Sequence, residues 1–240
     1  MNYGIVLKVL GSLLIVLGLL MVPSYIIALV EAGPDRMPFL GTILLTLAIG
    51  VFLFLKERKE KSISAKDGLA IVAFGWVVAS VLGALPLYFS GVTENYVDAF
   101  FEIVSGFTTT GATILTDIES MPAGVAFWRS FTHWIGGMGI LVFTLALLPA
   151  LGIGGFQIFK AEAPGPVAGK IAPRLKDTAK ILYITYITIT LAEVILLVIG
   201  GMSVYDAFIH TFGTVGTGGF SNKANSVGAY SSSYIHFVIS

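Results

Sequence analysis

Long apolar runs constrain this chain more than any other feature of its sequence. A helix needs about 20 mostly apolar residues to cross the hydrocarbon core of a bilayer. Runs that meet or approach this length are Gly4 to Ile27, Phe39 to Leu55, Leu69 to Phe89, Gly124 to Leu148 and Ala179 to Ile199, and a sixth begins near Tyr234. Hydrophobic residues make up 56% of the chain and charged residues 12%, which is far more apolar than a soluble domain. The sequence predicts an all-α membrane protein that crosses the lipid bilayer several times.

Charge and cysteine content remove several classes of function. The formal net charge is +0 at pH 7, and nucleic-acid binding needs clustered Lys and Arg side chains, so we expect no nucleic-acid partner. The chain has no cysteine, which excludes a disulfide framework, a thiolate nucleophile and a cysteine metal site within it. We also expect no covalent cofactor.

Two basic loops predict the orientation of the helices. One is Lys56-Glu57-Arg58-Lys59-Glu60-Lys61 with Lys66, and the other runs from Lys160 to Lys180. Short loops rich in Lys and Arg stay on the cytoplasmic side, whereas the loops at Glu31 to Arg36 and Ser90 to Ala123 carry more acid than base. We expect a cytoplasmic N-terminus and an N-terminal transmembrane hairpin in residues 1–60. Gly4 to Ile27 lacks a basic leader and a small-residue cleavage site, so it is interpreted as a retained helix.

An internal repeat divides the rest of the chain. Tyr96-Val97-Asp98-Ala99-Phe100 precedes a first Thr/Gly loop, Thr108 to Thr113, and Val204-Tyr205-Asp206-Ala207-Phe208 precedes a second, Thr214 to Phe220. Each copy follows one spanning helix and precedes another, so the unit is a helix, a re-entrant segment and a helix. We expect the first repeat in residues 61–150, a cytoplasmic connector in 151–178, and the second repeat, with an incomplete last helix, in 179–240.

The two loops have the chemistry of a potassium-conducting pore. Each follows a half-helix too short to cross a bilayer, and we predict Asp98 and Asp206 as the N-caps of these half-helices. The carbonyl ends, which carry partial negative charge, then point at the loops. Dehydrated potassium needs rings of carbonyl oxygens, and glycine allows the required backbone.

The predicted potassium-binding residues are Thr109, Thr110, Gly111, Thr217, Gly218 and Gly219, with direct ligation expected through Thr110, Gly111, Thr217 and Gly218. Gly111 stands one residue further from Asp98 than Gly218 stands from Asp206, so Gly219 competes with Gly218 as the counterpart of Gly111. We prefer Gly218 because it follows a threonine, as Gly111 does.

Three segments together resemble the TrkH/KtrB family of potassium transporters. They are Ser105 to Thr113, Phe127 to Gly139 and Thr217 to Ser221, and the N-terminal hairpin favours the TrkH branch. The resemblance implies a channel-like pore built from four repeats in one chain, in which Gly111 and Gly218 are filter glycines of two adjacent quarters. It also implies potassium uptake across a bacterial or archaeal cytoplasmic membrane, a homodimer, and a cytosolic nucleotide-binding regulatory subunit.

Other functions remain open at this point. With two of four repeats, we expect the chain to correspond to the N-terminal half of such a pore, and a non-conducting fragment is one alternative. A secondary cation transporter with broken helices is another, although it predicts inverted repeats and these two share one orientation. An intramembrane aspartyl protease would need Asp98 and Asp206 as a facing dyad, and helix capping explains both residues without enzymatic activity.

Four further features lead to expectations about packing. Gly136 and Gly137 are interpreted as small residues that allow close helix contact. Arg129 and His133 are expected near the external interface. Glu193 lies in an apolar helix, and its role stays open between functional and structural. His210 matches Glu102 in the repeat, with packing or interface exposure as the expected role.

Overall fold

The computed structural model describes residues 2–56, 65–139 and 175–240. Within these ranges the helices are α1 Tyr3–Leu20, α2 Val22–Val30, α3 Arg36–Leu55, α4 Ala65–Phe89, α5 Tyr96–Phe107, α6 Ala123–Met138, α7 Leu175–Ile199, α8 Val204–Val215 and α9 Ser233–Ile239. A short 3-10 helix, Ser226–Ala229, precedes α9. The predicted all-α membrane fold is confirmed, and α5 and α8 are the two predicted half-helices.

Four stretches of the described residues are long and apolar enough to span a membrane. They are Tyr3–Val30, Arg36–Leu55, Lys66–Phe89 and Lys180–Ile199, in agreement with the sequence. The first is interrupted at Met21, because Pro23 lies in the first turn of α2 and cannot donate a backbone hydrogen bond. The predicted span at 124–148 is described only as far as Met138 in α6, and most of the two predicted basic loops lies outside the described residues.

Helices α1 and α3 form the N-terminal hairpin through direct backbone contact at two glycines. A Cβ added to Gly11 would lie 2.7 Å from the Gly50 carbonyl oxygen, and one added to Gly50 would lie 2.9 Å from the Ile15 nitrogen. Small residues let helix backbones approach this closely where lipid supplies no hydrophobic driving force. Both helices of the hairpin also pack against α4. The hairpin is therefore in contact with the first helix of the first repeat.

Pro86 lies inside α4 beside the first half-helix. It cannot donate to the Leu82 carbonyl four residues earlier, and the carbonyls on either side of Leu82 accept hydrogen bonds from side chains of other helices. The Trp128 indole donates to the Gly83 carbonyl at 2.9 Å, and the Tyr96 hydroxyl donates to the Val81 carbonyl at 2.6 Å. These bonds fix α5 and α6 against α4.

A buried carboxyl joins the turn between α2 and α3 of the hairpin to α6. The Asp35 side chain is fully buried, and one of its oxygens accepts a hydrogen bond from the Val125 backbone nitrogen at 3.2 Å. Burial raises the pKa of the Asp35 carboxyl above its usual value of 3.8, and backbone hydrogen bonds at Asp35, Val125 and Gly124 partly oppose this rise. Asp35 therefore couples the stability of this junction to pH.

We predict that Gly50→Val destabilises the protein, because its side chain would overlap the α1 backbone at Gly11 and Ile15. Overpacking of this kind costs about 1 to 3 kcal/mol, which thermal melting of the purified protein measures. The control is Gly41→Val on the same helix, where an added Cβ meets nothing within 4 Å. Equal melting temperatures for the two variants would contradict the contact.

A second prediction concerns Asp35 and pH. A carboxyl whose pKa is higher in the folded state stabilises the fold when protonated, and this contribution is lost as pH rises through the folded-state value. The melting temperature of the wild type should therefore fall, relative to that of Asp35→Asn, as pH rises from about 4 to neutral. The asparagine keeps an acceptor for Val125 and does not titrate, so parallel pH profiles would exclude the coupling.

Candidate functional site

Both half-helices begin with the same cap, and it is not the one predicted. The Asn95 side chain accepts from the Asp98 nitrogen at 2.9 Å, and the Ser203 hydroxyl accepts from the Asp206 nitrogen at 3.1 Å. Asn95 and Ser203 are therefore the N-caps, and the assignment of Asp98 and Asp206 to this position was wrong. The two carboxylates lie in the first turn, where they still complement the positive end of the helix.

Each aspartate is also engaged locally. The Asp98 carboxylate accepts from the Asn95 amide at 2.6 Å, and the Asp206 carboxylate accepts from the Asn222 amide at 2.6 Å. Asn222 follows the second loop, so Asp206 helps to hold the chain that leaves that loop. These bonds give each aspartate a structural role within its own repeat.

The half-helices end in the same C-cap, a Schellman motif. In α5 the nitrogens of Thr109 and Thr110 donate to the carbonyls of Gly106 and Ser105 at 3.0 and 2.9 Å. In α8 the same pattern joins Thr217 to Thr214 and Gly218 to Gly213, both at 2.9 Å. This motif requires a left-handed residue, and threonine fills it in both copies, with φ of 54° at Thr109 and 57° at Thr217. Thr214 accordingly belongs to the last turn of α8.

This shared geometry corrects the alignment of the two loops. Two residues beyond each left-handed threonine comes a glycine with positive φ, Gly111 at 73° and Gly219 at 82°. Gly219 is therefore the structural counterpart of Gly111, and the preference for Gly218 in that role was wrong. The sequence rule failed because it matched the preceding threonine instead of counting from the start of the half-helix.

The two loops touch each other through backbone. A Cβ added to Gly111 would overlap the carbonyl group of Gly218, so only glycine fits at this point of the first loop. Thr108, Thr110, Thr217 and Gly219 are exposed, and the hydroxyls of Thr108 and Thr110 lie 2.8 Å apart. The sequence-predicted residues of both loops thus form one strip of threonine and glycine, in which Thr109, Gly111 and Gly218 are half-buried and the other three are exposed.

Helix α6 packs against the loops and half-helices. Gly136 and Gly137 leave no room for a Cβ beside the Phe107 carbonyl and Gly216 respectively, so their predicted role in close packing is confirmed. His133 is fully buried. Its Nδ1 lies 2.8 Å from the Gly106 carbonyl, and because a carbonyl only accepts, Nδ1 carries the proton. The ring lies against Gly218 and 4.0 Å from the centroid of Phe220.

A buried ion pair links the same helix to both loops. Arg129 Nε donates to Glu102 at 2.9 Å, with 1% and 0% of the two side chains exposed. Glu102 also accepts from the Thr113 hydroxyl and, at 2.7 Å, from the Ile114 nitrogen. On its other side Arg129 donates to the Ser221 carbonyl at 3.4 Å and stacks 3.4 Å from the centroid of Phe220. Both Arg129 and His133 are buried in protein, so neither side chain anchors α6 at a lipid interface; their position near the external interface stays a prediction.

The second repeat holds its loop with a histidine instead of a carboxylate. His210 occupies the place of Glu102 and is 4% exposed. Its Nδ1 donates to the Asp206 carbonyl at 2.9 Å, and its Nε2 accepts from the Ser221 hydroxyl at 3.3 Å. Ser221 corresponds to Thr113, so each half-helix bonds the residue two positions beyond the positive-φ glycine. The expected packing role of His210 is confirmed.

Glu193 lies behind the second half-helix. It is 8% exposed and forms a side-chain hydrogen bond with Thr214. Its Oε1 has no partner among the residues that the structure describes. The carboxyl therefore contacts the last turn of α8, just before the second loop.

Comparisons with known proteins identify the relatives of this chain. The TrkH family profile, described as cation transport protein, matches residues 35–240. The chain is 39% identical over 243 residues to the Trk system potassium uptake protein TrkH of Escherichia coli (strain K12), covering 100% of this chain and 50% of that protein. It is 35% identical over 226 residues to TrkI of Halomonas elongata, covering 94% and 46%.

A solved structure gives the same result. The crystal structure of the potassium transporter TrkH from Vibrio parahaemolyticus matches with a TM-score of 0.80 and 32% identity, over 100% of this chain and 48% of that one. The chain therefore spans about half the length of the curated relatives that it matches.

We predict that Thr109→Gly and Thr217→Gly do not destabilise the protein. Left-handed backbone costs a side-chain-bearing residue about 1 to 2 kcal/mol, which offsets the roughly 0.5 to 1 kcal/mol entropy cost of glycine. The melting temperature should be unchanged or slightly higher. Thr188→Gly on exposed helical backbone of α7 is the control, and an equal loss of stability at Thr109 would exclude strain there.

Proposed function

Because this chain belongs to the TrkH family of cation transport proteins, we propose that it forms part of a potassium-conducting pore. Relatives that it matches are Trk system potassium uptake proteins. The observation that carries the proposal is the pair of half-helices, α5 and α8, which end in the same cap and present adjoining loops of threonine and glycine. The function of this part of the molecule is to select potassium during uptake.

The proposed filter residues are Thr109, Thr110, Gly111, Thr217, Gly218 and Gly219. Positive φ at Gly111 and Gly219 supports the proposal, since such backbone allows successive carbonyls to be aimed at one axis. The carbonyl ends of α5 and α8 face the loops and favour a cation there. Sequence position alone pairs Thr110 and Gly111 with Thr217 and Gly218, but the shared backbone geometry pairs them with Gly218 and Gly219. We therefore assign direct ligation of potassium to Thr110 and Gly111 in the first loop and to Gly218 and Gly219 in the second.

The wider assembly follows from the same proposal. Residues 1–60 form the transmembrane hairpin, 61–150 and 179–240 two quarters of a four-part pore, and 151–178 a cytoplasmic connector. The protein resides in the cytoplasmic membrane of a bacterium or archaeon with its N-terminus inside. A homodimer and a cytosolic nucleotide-binding regulatory subunit complete the proposed system.

Potassium uptake by the protein as its gene encodes it tests the proposal. We predict that expression rescues growth of a transport-deficient bacterium in low potassium, and that Gly111→Ser lowers discrimination of potassium over sodium by about tenfold or more, which corresponds to about 1.4 kcal/mol. The physical reason is that a side chain at Gly111 displaces the Gly218 carbonyl. Uptake of radioactive rubidium with sodium competition measures the ratio.

Two variants make this test sharper. Gly91 has the same φ of 73° as Gly111 but open space around it, so Gly91→Ser controls for backbone strain alone. Gly219→Ser introduces a side chain without a clash, which keeps the test informative if Gly111→Ser does not accumulate in the membrane. Unchanged selectivity in Gly219→Ser and in any recovered Gly111→Ser would contradict the assignment of the filter.

A further inference from the structure

We propose that Arg129 is a positioning residue for potassium selection, because it fixes the second loop relative to the first. The inference rests on the proposed function and assigns a role outside the loops themselves. Arg129 belongs to α6 of the first repeat, yet its side chain reaches both Glu102 of that repeat and Ser221 of the next. Its contacts therefore cross the boundary between two quarters of the proposed pore.

The geometry of the guanidinium explains why arginine is needed here. Nε faces Glu102 at 2.9 Å, Nη1 faces the Ser221 carbonyl at 3.4 Å, and the planar group lies 3.4 Å from the centroid of the Phe220 ring. Arginine combines a fork of donors with a flat face that stacks on aromatic rings. A lysine ammonium could keep the ion pair but could not make all three contacts at once.

Stability alone does not account for this ion pair. Burying two charges costs desolvation, and replacing a buried pair by neutral residues is often neutral or stabilising. The Glu102–Arg129 pair is buried at 0% and 1% exposure, so its cost is high. A geometric role explains why this pair is present despite its desolvation cost: it holds the first and second loops at a fixed separation.

The difference between the repeats shows which loop depends on Arg129. Glu102 holds the first loop from within its own repeat, through the Thr113 hydroxyl and the Ile114 nitrogen. In the second repeat the part of the chain that the structure describes gives His210 one such bond, at 3.3 Å to the Ser221 hydroxyl, and Asp206 accepts from the Asn222 amide at 2.6 Å. Arg129 holds the Ser221 carbonyl and the Phe220 ring from outside that repeat, beside the contact of His133 with Gly218. The position of the second loop is thus set by α6 of the first repeat together with contacts from its own half-helix.

This placement has a consequence for selection. A filter discriminates between cations by the number and arrangement of the oxygens around the ion, and those oxygens come from separate loops. Loss of the link between loops should change discrimination more than it changes the amount of folded protein. A merely structural role would instead change the amount of protein and leave the ion ratio unaltered.

The double variant Glu102→Gln/Arg129→Gln separates the two roles. It removes both charges together, so no unpaired charge remains, and the amide oxygen introduced by Glu102→Gln can still accept from Thr113 and Ile114. We expect membrane levels within about twofold of the wild type, and discrimination of potassium over sodium lowered about tenfold, or 1.4 kcal/mol. Wild-type discrimination in this variant would overturn the proposal.

Arg129→Lys provides a second, independent test because it retains the ion pair with Glu102. We expect an intermediate loss of discrimination, and an unchanged ratio would also overturn the proposal. Arg36→Gln is the control for removal of an arginine, since Arg36 is exposed and its Nε donates to the nearby Gly33 carbonyl at 3.0 Å. If the wild type takes up no potassium, the proposed function itself fails; if it does and both variants select normally, only this inference fails.

Discussion

The two Thr/Gly loops are stretches of non-helical backbone among helices that face lipid. The rest of the structure depends on providing hydrogen-bond partners for the backbone of these loops without bulk water. Irregular backbone at membrane depth is tolerated only where it is buried in protein or lines a water-filled path. Here the Schellman caps of α5 and α8 bond the first amides of each loop. Glu102 and His210 then bond the residues that follow each loop. Thr110, Thr217 and Gly219 of the threonine and glycine strip remain exposed between these bonds.

Close packing of helix against loop follows from this requirement. Glycines at Gly106 and Gly136 bring α6 within backbone distance of α5, since an added Cβ would overlap Thr132 or the Phe107 carbonyl. At this separation the side chains of Arg129 and His133 reach past the half-helix to both loops. The small residues therefore permit the polar contacts, and the polar contacts fix the loops.

Much of this arrangement could be predicted from the sequence, because its strongest signals are local. Apolar runs gave the spans, and the repeated Tyr/Asp/Ala/Phe segments gave the half-helices in their correct order. The N-caps were missed because Asp98 and Asp206 were considered without the preceding Asn95 and Ser203, which are equally good capping residues. The alignment of Gly219 with Gly111 depended on backbone φ, which a Thr-Gly pattern does not specify.

The role of α6 could not be read in the same way, since it depends on contacts between residues far apart in the chain. Arg129 stands beside aromatic residues, a context equally typical of a membrane interface. One signal was available: Glu102 and Arg129 are opposite charges in apolar surroundings, and ionisable groups at such depth usually pair. The partner of Glu102 lies in the same repeat, whereas the sequence of the second repeat, residues 179–240, contains no arginine. The two repeats thus have similar backbones, but only the first contains a buried Glu–Arg pair. The second loop therefore depends on Arg129 of α6, a helix of the first repeat.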